Sequence, residues 1–298
     1  MFGQRFKWHK AKGYIDLNYD PVKFVIQYGK PYHILRMSRF IPKLNVDIDS
    51  LKHDLINLQN KDGGWPWHWK EGKPSGMSET GRTMELLVQL GEDKSNPAIQ
   101  KAFEFLLTHQ RLDGGWSENK ELQLIIPRKW YWVSTKSSTV WITASILRGL
   151  ITAGLTNNVL VIKGIDFLKK SQNEDGGWPS HVGPDYPFGS DLASMDDVIC
   201  ALMLSGLDRK SDIITKLEKC TLGLRNQWRI LNFAGSVLAI LNSLNYSNKT
   251  ESVRDIIQIL IDSQKIDGGW SGQRLSPSDP WYTTYCYEQL VKYGIKYN

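Results

Sequence analysis

Apolar positions recur with a helical period along most of this chain. In "NPAIQKAFEFLLTHQ", Ile99, Ala102, Phe103, Leu106 and Leu107 fall at i, i+3, i+4, i+7 and i+8, one face of an amphipathic helix. "VLVIKGIDFLKKSQ" and "VRDIIQILIDSQ" read the same way. Each ends on a glutamine, then reaches Asp-Gly-Gly, where glycine allows the left-handed turn that stops a helix. A tryptophan and a variable loop follow. Next comes a second, more apolar helix: "SETGRTMELLVQLG", "SSTVWITASILRGLITAG", "SMDDVICALMLSG" or "YTTYCYEQLVKYG". No stretch alternates over the length of a strand.

The signal between the two helices occurs four times, as Gln59 with Trp65, Gln110 with Trp116, Gln172 with Trp178, and Gln264 with Trp270. The widest gap, between Gln172 and Gln264, hides a degenerate copy with Gln227 and Trp228 adjacent and the glycines gone. "PVKFVIQYG" and "YHILRMSRF" form an N-terminal pair, giving about twelve helices in six hairpins. Such hairpins cannot bury both faces alone, so they stack. The Gln-ended helices read as an outer layer. The more apolar ones, with the small residues Ala144, Ser145 and Gly149, read as an inner layer. The expectation is an all-α fold of two concentric layers. It forms a single domain over 1–298, with the N-terminal pair in 1–46 and the repeat hairpins in 47–298.

Composition changes this picture little. The chain has 298 residues, 41% hydrophobic and 23% charged, which is ordinary for a globular protein. A net charge of +6, spread along the chain, suits an anionic small molecule, a membrane surface or nucleic acid without choosing among them. Cys200, Cys220 and Cys286 lie far apart, which argues against a disulfide framework and fits a reducing compartment. The basic start "MFGQRFKWHKAKGY" lacks the apolar stretch of a signal peptide, and no run approaches the ~20 apolar residues of a membrane span. A cytoplasmic location is expected, with peripheral membrane contact left open.

"KAFEFLLTHQRLDGGW" and "KGIDFLKKSQNEDGGW" resemble the repeat of squalene–hopene cyclases and related triterpene cyclases. Lys101, Ala102, Phe105, Leu106, Gln110, Gly114 and Trp116 match it, as do Lys163, Gly164, Phe167, Leu168, Gln172, Gly176 and Trp178. A looser form occurs in protein prenyltransferase β subunits. The resemblance covers roughly residues 47–290 and implies an α/α toroid in which the glutamine ties neighbouring hairpins and the tryptophan packs against it. Gln59, Trp65, Gln110, Trp116, Gln172, Trp178, Gln264 and Trp270 are then structural. A buried amide must be satisfied, and an indole supplies a large contact area.

Every variable loop follows a tryptophan and precedes an inner helix, so the loops should gather at one mouth beside the inner-helix N-termini. They contribute Lys70, Lys73, Lys120, Arg128, Lys129 and Arg274, together with Trp67, Trp69, Trp130, Tyr131, Trp132, Tyr186, Phe188, Trp281 and Tyr282. A basic, aromatic funnel suits an isoprenoid diphosphate, with aromatic faces able to hold a cationic intermediate, and the expected partner is an isoprenoid or another apolar small molecule. Trp67, His181, Tyr186, Trp281 and Tyr282 are the candidate substrate-binding residues. "DLASMDDVICALML" is similar to the Asp-x-Asp-Asp of protonation-initiated, class II terpene cyclases. The resemblance makes Asp196 the proton donor and Asp197 its neighbour, with Ser194 in place of the first aspartate. His181 is a candidate hydrogen-bond partner. A second reading makes Ser194 a helix N-cap, with Asp196 and Asp197 in the first turn complementing the helix dipole.

No metal or other cofactor is expected. The zinc prenyltransferases use Asp-x-Cys and a later histidine. Here no Asp-x-Cys occurs, and Thr283 takes the histidine position in "DPWYTTYCYEQL". No nucleic-acid-binding module matches. Two functions remain: a cyclase acting on a linear isoprenoid, with or without a diphosphate, and a non-catalytic toroid binding a lipid or a protein. Squalene–hopene cyclases enclose their cavity with a second helical domain, so here either the cavity lies inside the ring, as in prenyltransferases, or a partner chain completes it, or no cyclisation occurs.

Overall fold

A computed structural model describes residues 15–41, 44–127, 130, 132–183, 189–229, 231–272 and 276–297. These contain the helices α1 (Pro21–Tyr28), α2 (Pro31–Ser38), α3 (Ile48–Asn57), α4 (Met77–Gln89), α5 (Pro97–His109), α6 (Val140–Thr152), α7 (Val159–Lys170), α8 (Leu192–Leu204), α9 (Asp212–Gly223), α10 (Leu231–Ser243), α11 (Glu251–Ser263) and α12 (Pro280–Lys292). They follow the expected alternation in six successive pairs. Four two-residue strands add local pairing, such as Trp65–Pro66 against Ser75–Gly76.

Contacts divide the chain into two compact units. One spans Ile48–Leu222; the other joins Met1–Asp47 to Gly223–Asn298. In the first unit α4 lies along α6, and α6 along α8. These helices are buried along most of their length, whereas α5 and α7 bury one face. The small residues explain the close approach. A Cβ on Gly81 would stand 2.7 Å from the Ile146 Cα, and one on Gly149 would stand 2.4 Å from the Gly81 carbonyl oxygen. The sequence pattern errs by a small rotation in α5. Ala98, Ile99, Ala102, Phe105 and Leu106 are buried, while Leu107 is exposed. Packing against a neighbouring helix decides the face, and Leu107 lies at the edge of the expected stripe.

In the second unit α12 packs on α1, α2 and α10, and α10 packs on α11. Ile15–Asp16 pairs in parallel with Ile295–Lys296. Arg36 donates to Glu288 through Nε (2.9 Å) and Nη2 (2.7 Å). Burial raises the Glu288 pKa, but Arg36 and Lys292 outweigh it and hold the carboxyl well below the usual carboxylate range.

Candidate functional site

The four repeated signals share one hydrogen-bonding scheme. The Gln59 amide donates to the carbonyls of Gly63 and Ala98, both at 2.8 Å. Gln110 serves Gly114 and Leu160, and Gln172 serves Gly176 and Ile213. Gln264 donates to Gly268 and to Tyr19 near the start of the chain. Each glutamine therefore caps its own turn and holds a carbonyl at the start of another outer helix. Trp65, Trp116, Trp178 and Trp270 are buried, and their indole N–H groups donate to Leu55, Leu106, Leu168 and Leu260. Those carbonyls lie in the last turns of the outer helices, where backbone acceptors lack helical partners. The first glycine after each glutamine has a positive φ; Gly63 in the first copy has φ +93° and would press a Cβ to 2.4 Å from the Lys101 carbonyl oxygen.

A further staple escapes the sequence reading. Asp62 accepts from the Gly64 N–H and the Ser75 hydroxyl (2.7 Å), and Asp113, Asp175 and Asp267 do the same with Ser138, Ser190 and Ser278. These serines stand at variable distances from the tryptophan but always two residues before the inner helix. The constant register to the helix start is the signal that could have found them.

The acidic pair on α8 is placed differently from the helix-start reading. The N-cap is Asp191, whose Oδ1 accepts from the Ala193 N–H (3.2 Å) and whose Oδ2 accepts from the Ser194 hydroxyl (2.8 Å). Ser194 is thus the third helical residue, and Asp196 and Asp197 are the fifth and sixth, beyond the first turn. Asp191 was the stronger cap because its carboxylate reaches two donors at once. Burial raises the pKa of Asp191.

Asp196 is 6% exposed and Asp197 7% exposed. Asp197 Oδ2 accepts from Arg82 of α4 at 3.1 Å, and Oδ1 accepts from Arg148 of α6 at 2.9 Å. Arg148 also pairs with Glu85 at 2.9 Å. Three inner helices are therefore joined by one chain of partly buried ion pairs at their sixth and ninth residues. Loss of solvation alone would lower the Arg148 pKa, but Glu85, Cys200 and Asp197 beside it hold it well above its usual value. Sequence reasoning missed Arg82, Glu85 and Arg148. Their signal was present: charges one turn apart on helices that are otherwise apolar.

Asp196 itself occupies the helix position where α4 has Gly81, α6 has Ala144 and α10 has Gly235. The same position holds Thr284 in α12 and Leu35 in α2, so an ionisable group stands where the other inner helices carry uncharged residues.

Above this layer is an aromatic rim. The Arg82 guanidinium lies 5.6 Å from the Trp141 ring, and the Trp141 indole donates to the Trp132 carbonyl. Trp132 stacks with Trp130 (5.7 Å, 24°), and Trp130 meets Trp67 and His68 edge-on, both at 5.8 Å. His181 is buried, with Nδ1 3.3 Å from the Ser137 hydroxyl. Trp67, His181, Asp196 and Asp197 thus belong to the first unit. Trp281 and Tyr282 belong to the second, where Trp281 stacks on Tyr285 at 5.4 Å and Tyr282 is buried. Tyr186, Arg128, Lys129, Tyr131, Phe188 and Arg274 lie outside the described residues. Thr283 accepts the Trp270 N–H at 2.9 Å, so its side chain is committed to the turn. Among the described residues no three His, Cys, Asp or Glu side chains converge to hold a metal, and no helix is long and apolar enough to cross a membrane.

Residues 42–189 match the family model for the squalene-hopene cyclase C-terminal domain. The squalene–hopene cyclase of Zymomonas mobilis is 33% identical over 141 residues, 46% of this chain and 19% of that protein. Lanosterol synthase of Saccharomyces cerevisiae is 29% identical over 157 residues, 51% of this chain and 20% of that protein. The aligned stretches thus span about a fifth of these relatives. Among solved structures, a type II terpene cyclase from Scytonema, MstE, superposes with a TM-score of 0.62 at 14% identity, covering 88% of this chain and 86% of that one. The chain is a class II terpene-cyclase-like α/α toroid. The protein geranylgeranyltransferase-I of Candida albicans shares this fold at a TM-score of 0.61 and 13% identity, covering 92% of this chain and 84% of that one. In this cyclase-like toroid the family match ends before α8, so Asp196 and Asp197 stand outside the matched stretch.

Proposed function

We propose that this protein cyclises a linear isoprenoid by protonating one of its double bonds, with Asp196 as the acid. The observation that carries the proposal is the α8 pair itself. Asp196 is buried at a helix position that takes an uncharged residue in every other inner helix, and its neighbour Asp197 is held by two arginines. A carboxyl is costly to bury, and its presence there calls for a use. To act, Asp196 must carry a proton and deliver it to a terminal alkene carbon or to an epoxide oxygen, leaving a cation that the chain's next double bond traps, the last cation being quenched by loss of a proton or capture of water. The indoles of Trp67, Trp130, Trp132 and Trp141 offer faces that stabilise such a cation. Asp197 is the positioning residue, keeping α8 in register with α4 and α6.

The neighbours support the substrate class. A variant of the Scytonema cyclase is bound to geranylgeranyl dihydroxybenzoate, and the Candida transferase is complexed with GGPP. The Scytonema cyclase shares this fold over 86% of its own chain, which supports a reading in which a toroid of this kind encloses the substrate. We place the reaction in the cytoplasm and in a single domain, with no requirement for a metal in the protonation step. Trp281, Tyr282 and Tyr186 are assigned to substrate binding on their sequence position.

One observation favours the second reading, a toroid that binds a lipid or a protein without turning it over. Ser194, where the resemblance expects an aspartate, is spent on the helix cap. Incubation with linear isoprenoids of several lengths, with and without a diphosphate, followed by product analysis, separates the two. Cyclic product that disappears in Asp196→Asn is expected. Tight binding without turnover in the wild type would establish the second reading instead.

A further inference from the structure

The buried carboxyl groups of Glu79 and Glu118 are not used by the reaction above. Glu118 is 2% exposed and Glu79 5% exposed. Glu118 Oε1 accepts the N–H of Met77, the first residue of α4, at 2.7 Å and the N–H of Asn119 at 2.9 Å. Its own N–H donates to the Ser134 carbonyl at 2.7 Å, and the Asn119 amide donates to the Ser75 carbonyl at 3.0 Å. Glu118 therefore fastens the loop that carries Trp130 and Trp132 to the start of α4. Glu79, on the first turn of α4, accepts the His68 N–H at 3.1 Å and fastens the other aromatic loop. His68 and Trp69 hold φ of 54° and 48°, a left-handed backbone that residues with a Cβ disfavour. That turn keeps its shape only while it is held. The two loops touch through Trp67, His68 and Trp130.

We propose that Glu118 is a proton-bearing latch: protonated, it lets the two loops close into one aromatic wall beside Glu79, and ionised, it drives them apart. With Oε1 taken by two N–H donors, the proton belongs on Oε2. Burial, and Glu79 beside it, push the Glu118 carboxyl up to about 8, against a smaller opposing pull from the two N–H donors and Arg82. Glu79 and Arg82 of α4 are the charged groups that face it. Its own loop carries Lys120 and Glu121, both exposed; the segment after Ser134 carries Lys136, also exposed; and the facing loop carries His68. Glu118 acts through the loops, as a positioning residue.

The test needs no isoprenoid, so its outcome is independent of the proposed reaction. Tryptophan fluorescence and its quenching by acrylamide are followed from about pH 6 to about pH 10 for the wild type, Glu118→Gln, Glu79→Gln and Trp67→Phe, with far-ultraviolet dichroism to confirm the fold. The wild type is expected to show one transition near pH 8, with the rim more open to quencher above it. Glu118→Gln abolishes the transition and stays closed throughout. Glu79→Gln moves it to lower pH by removing the like charge. Trp67→Phe reduces its amplitude. A flat wild-type profile, or the same transition in Glu118→Gln, overturns the proposal. Should Glu118→Gln fail to fold, an unshifted midpoint in Glu79→Gln overturns it equally.

Discussion

Asp196 and Asp197 are adjacent residues with opposite expected phenotypes. Replacing Asp197 with alanine leaves Arg82 and Arg148 facing each other without their shared carboxylate. Breaking a buried pair this way costs about 3 kcal/mol, measurable as a lower denaturation midpoint. Asp196→Asn keeps size and shape, so the account expects a protein of nearly wild-type stability that forms no cyclic product. Equal destabilisation by the two changes would mean that both serve packing. Glu118 has its own signature. Its folded pKa of about 8 lies above the unfolded value, so its contribution to stability is complete below about pH 4.5 and is lost as pH rises through about 8. Thermal midpoints of Glu118→Gln should fall less than those of the wild type across that window. Neither residue role was fully legible in the sequence. Ser194 looked like a cap because serine commonly is one, yet Asp191 three residues earlier takes the role. Nothing in "SENK" separates a buried glutamate from a solvated one.

At the scale of the element, the glutamine and tryptophan clamps were readable because their spacing survives in four copies and each atom has a fixed backbone partner. Gln110→Ala removes the amide donor to the carbonyls of Gly114 and Leu160, and a loss of about 1–3 kcal/mol in unfolding free energy is expected for the two bonds. The degenerate fifth pair lacks this staple. Trp228 is buried there, but Gln227 sits in a short 3-10 turn, and the division between the two compact units falls beside it at Gly223. Amide hydrogen exchange should therefore be faster over residues 224–229 than at the Gln59 and Gln110 turns. Equal protection would show that the indole alone secures the joint. The ion pairs of α4, α6 and α8 were less legible, because a charge on an apolar helix reads from sequence as an exposed position.

For the whole molecule, period and repeat were enough to reach the α/α-toroid class, since hairpins that cannot bury themselves have few ways to stack. What the repeat does not carry is chemistry. The family match ends before α8, and Asp196, the proposed acid, lies beyond it. The central claim is that solvent supplies, through Asp196, the proton that starts cyclisation. Turnover of a linear isoprenoid in deuterium oxide, read by mass spectrometry of the product, tests that claim most directly. The account predicts a cyclic product carrying one solvent-derived deuterium at the carbon first attacked, absent with Asp196→Asn. A cyclic product without deuterium, or with its diphosphate lost in the same step, would contradict it.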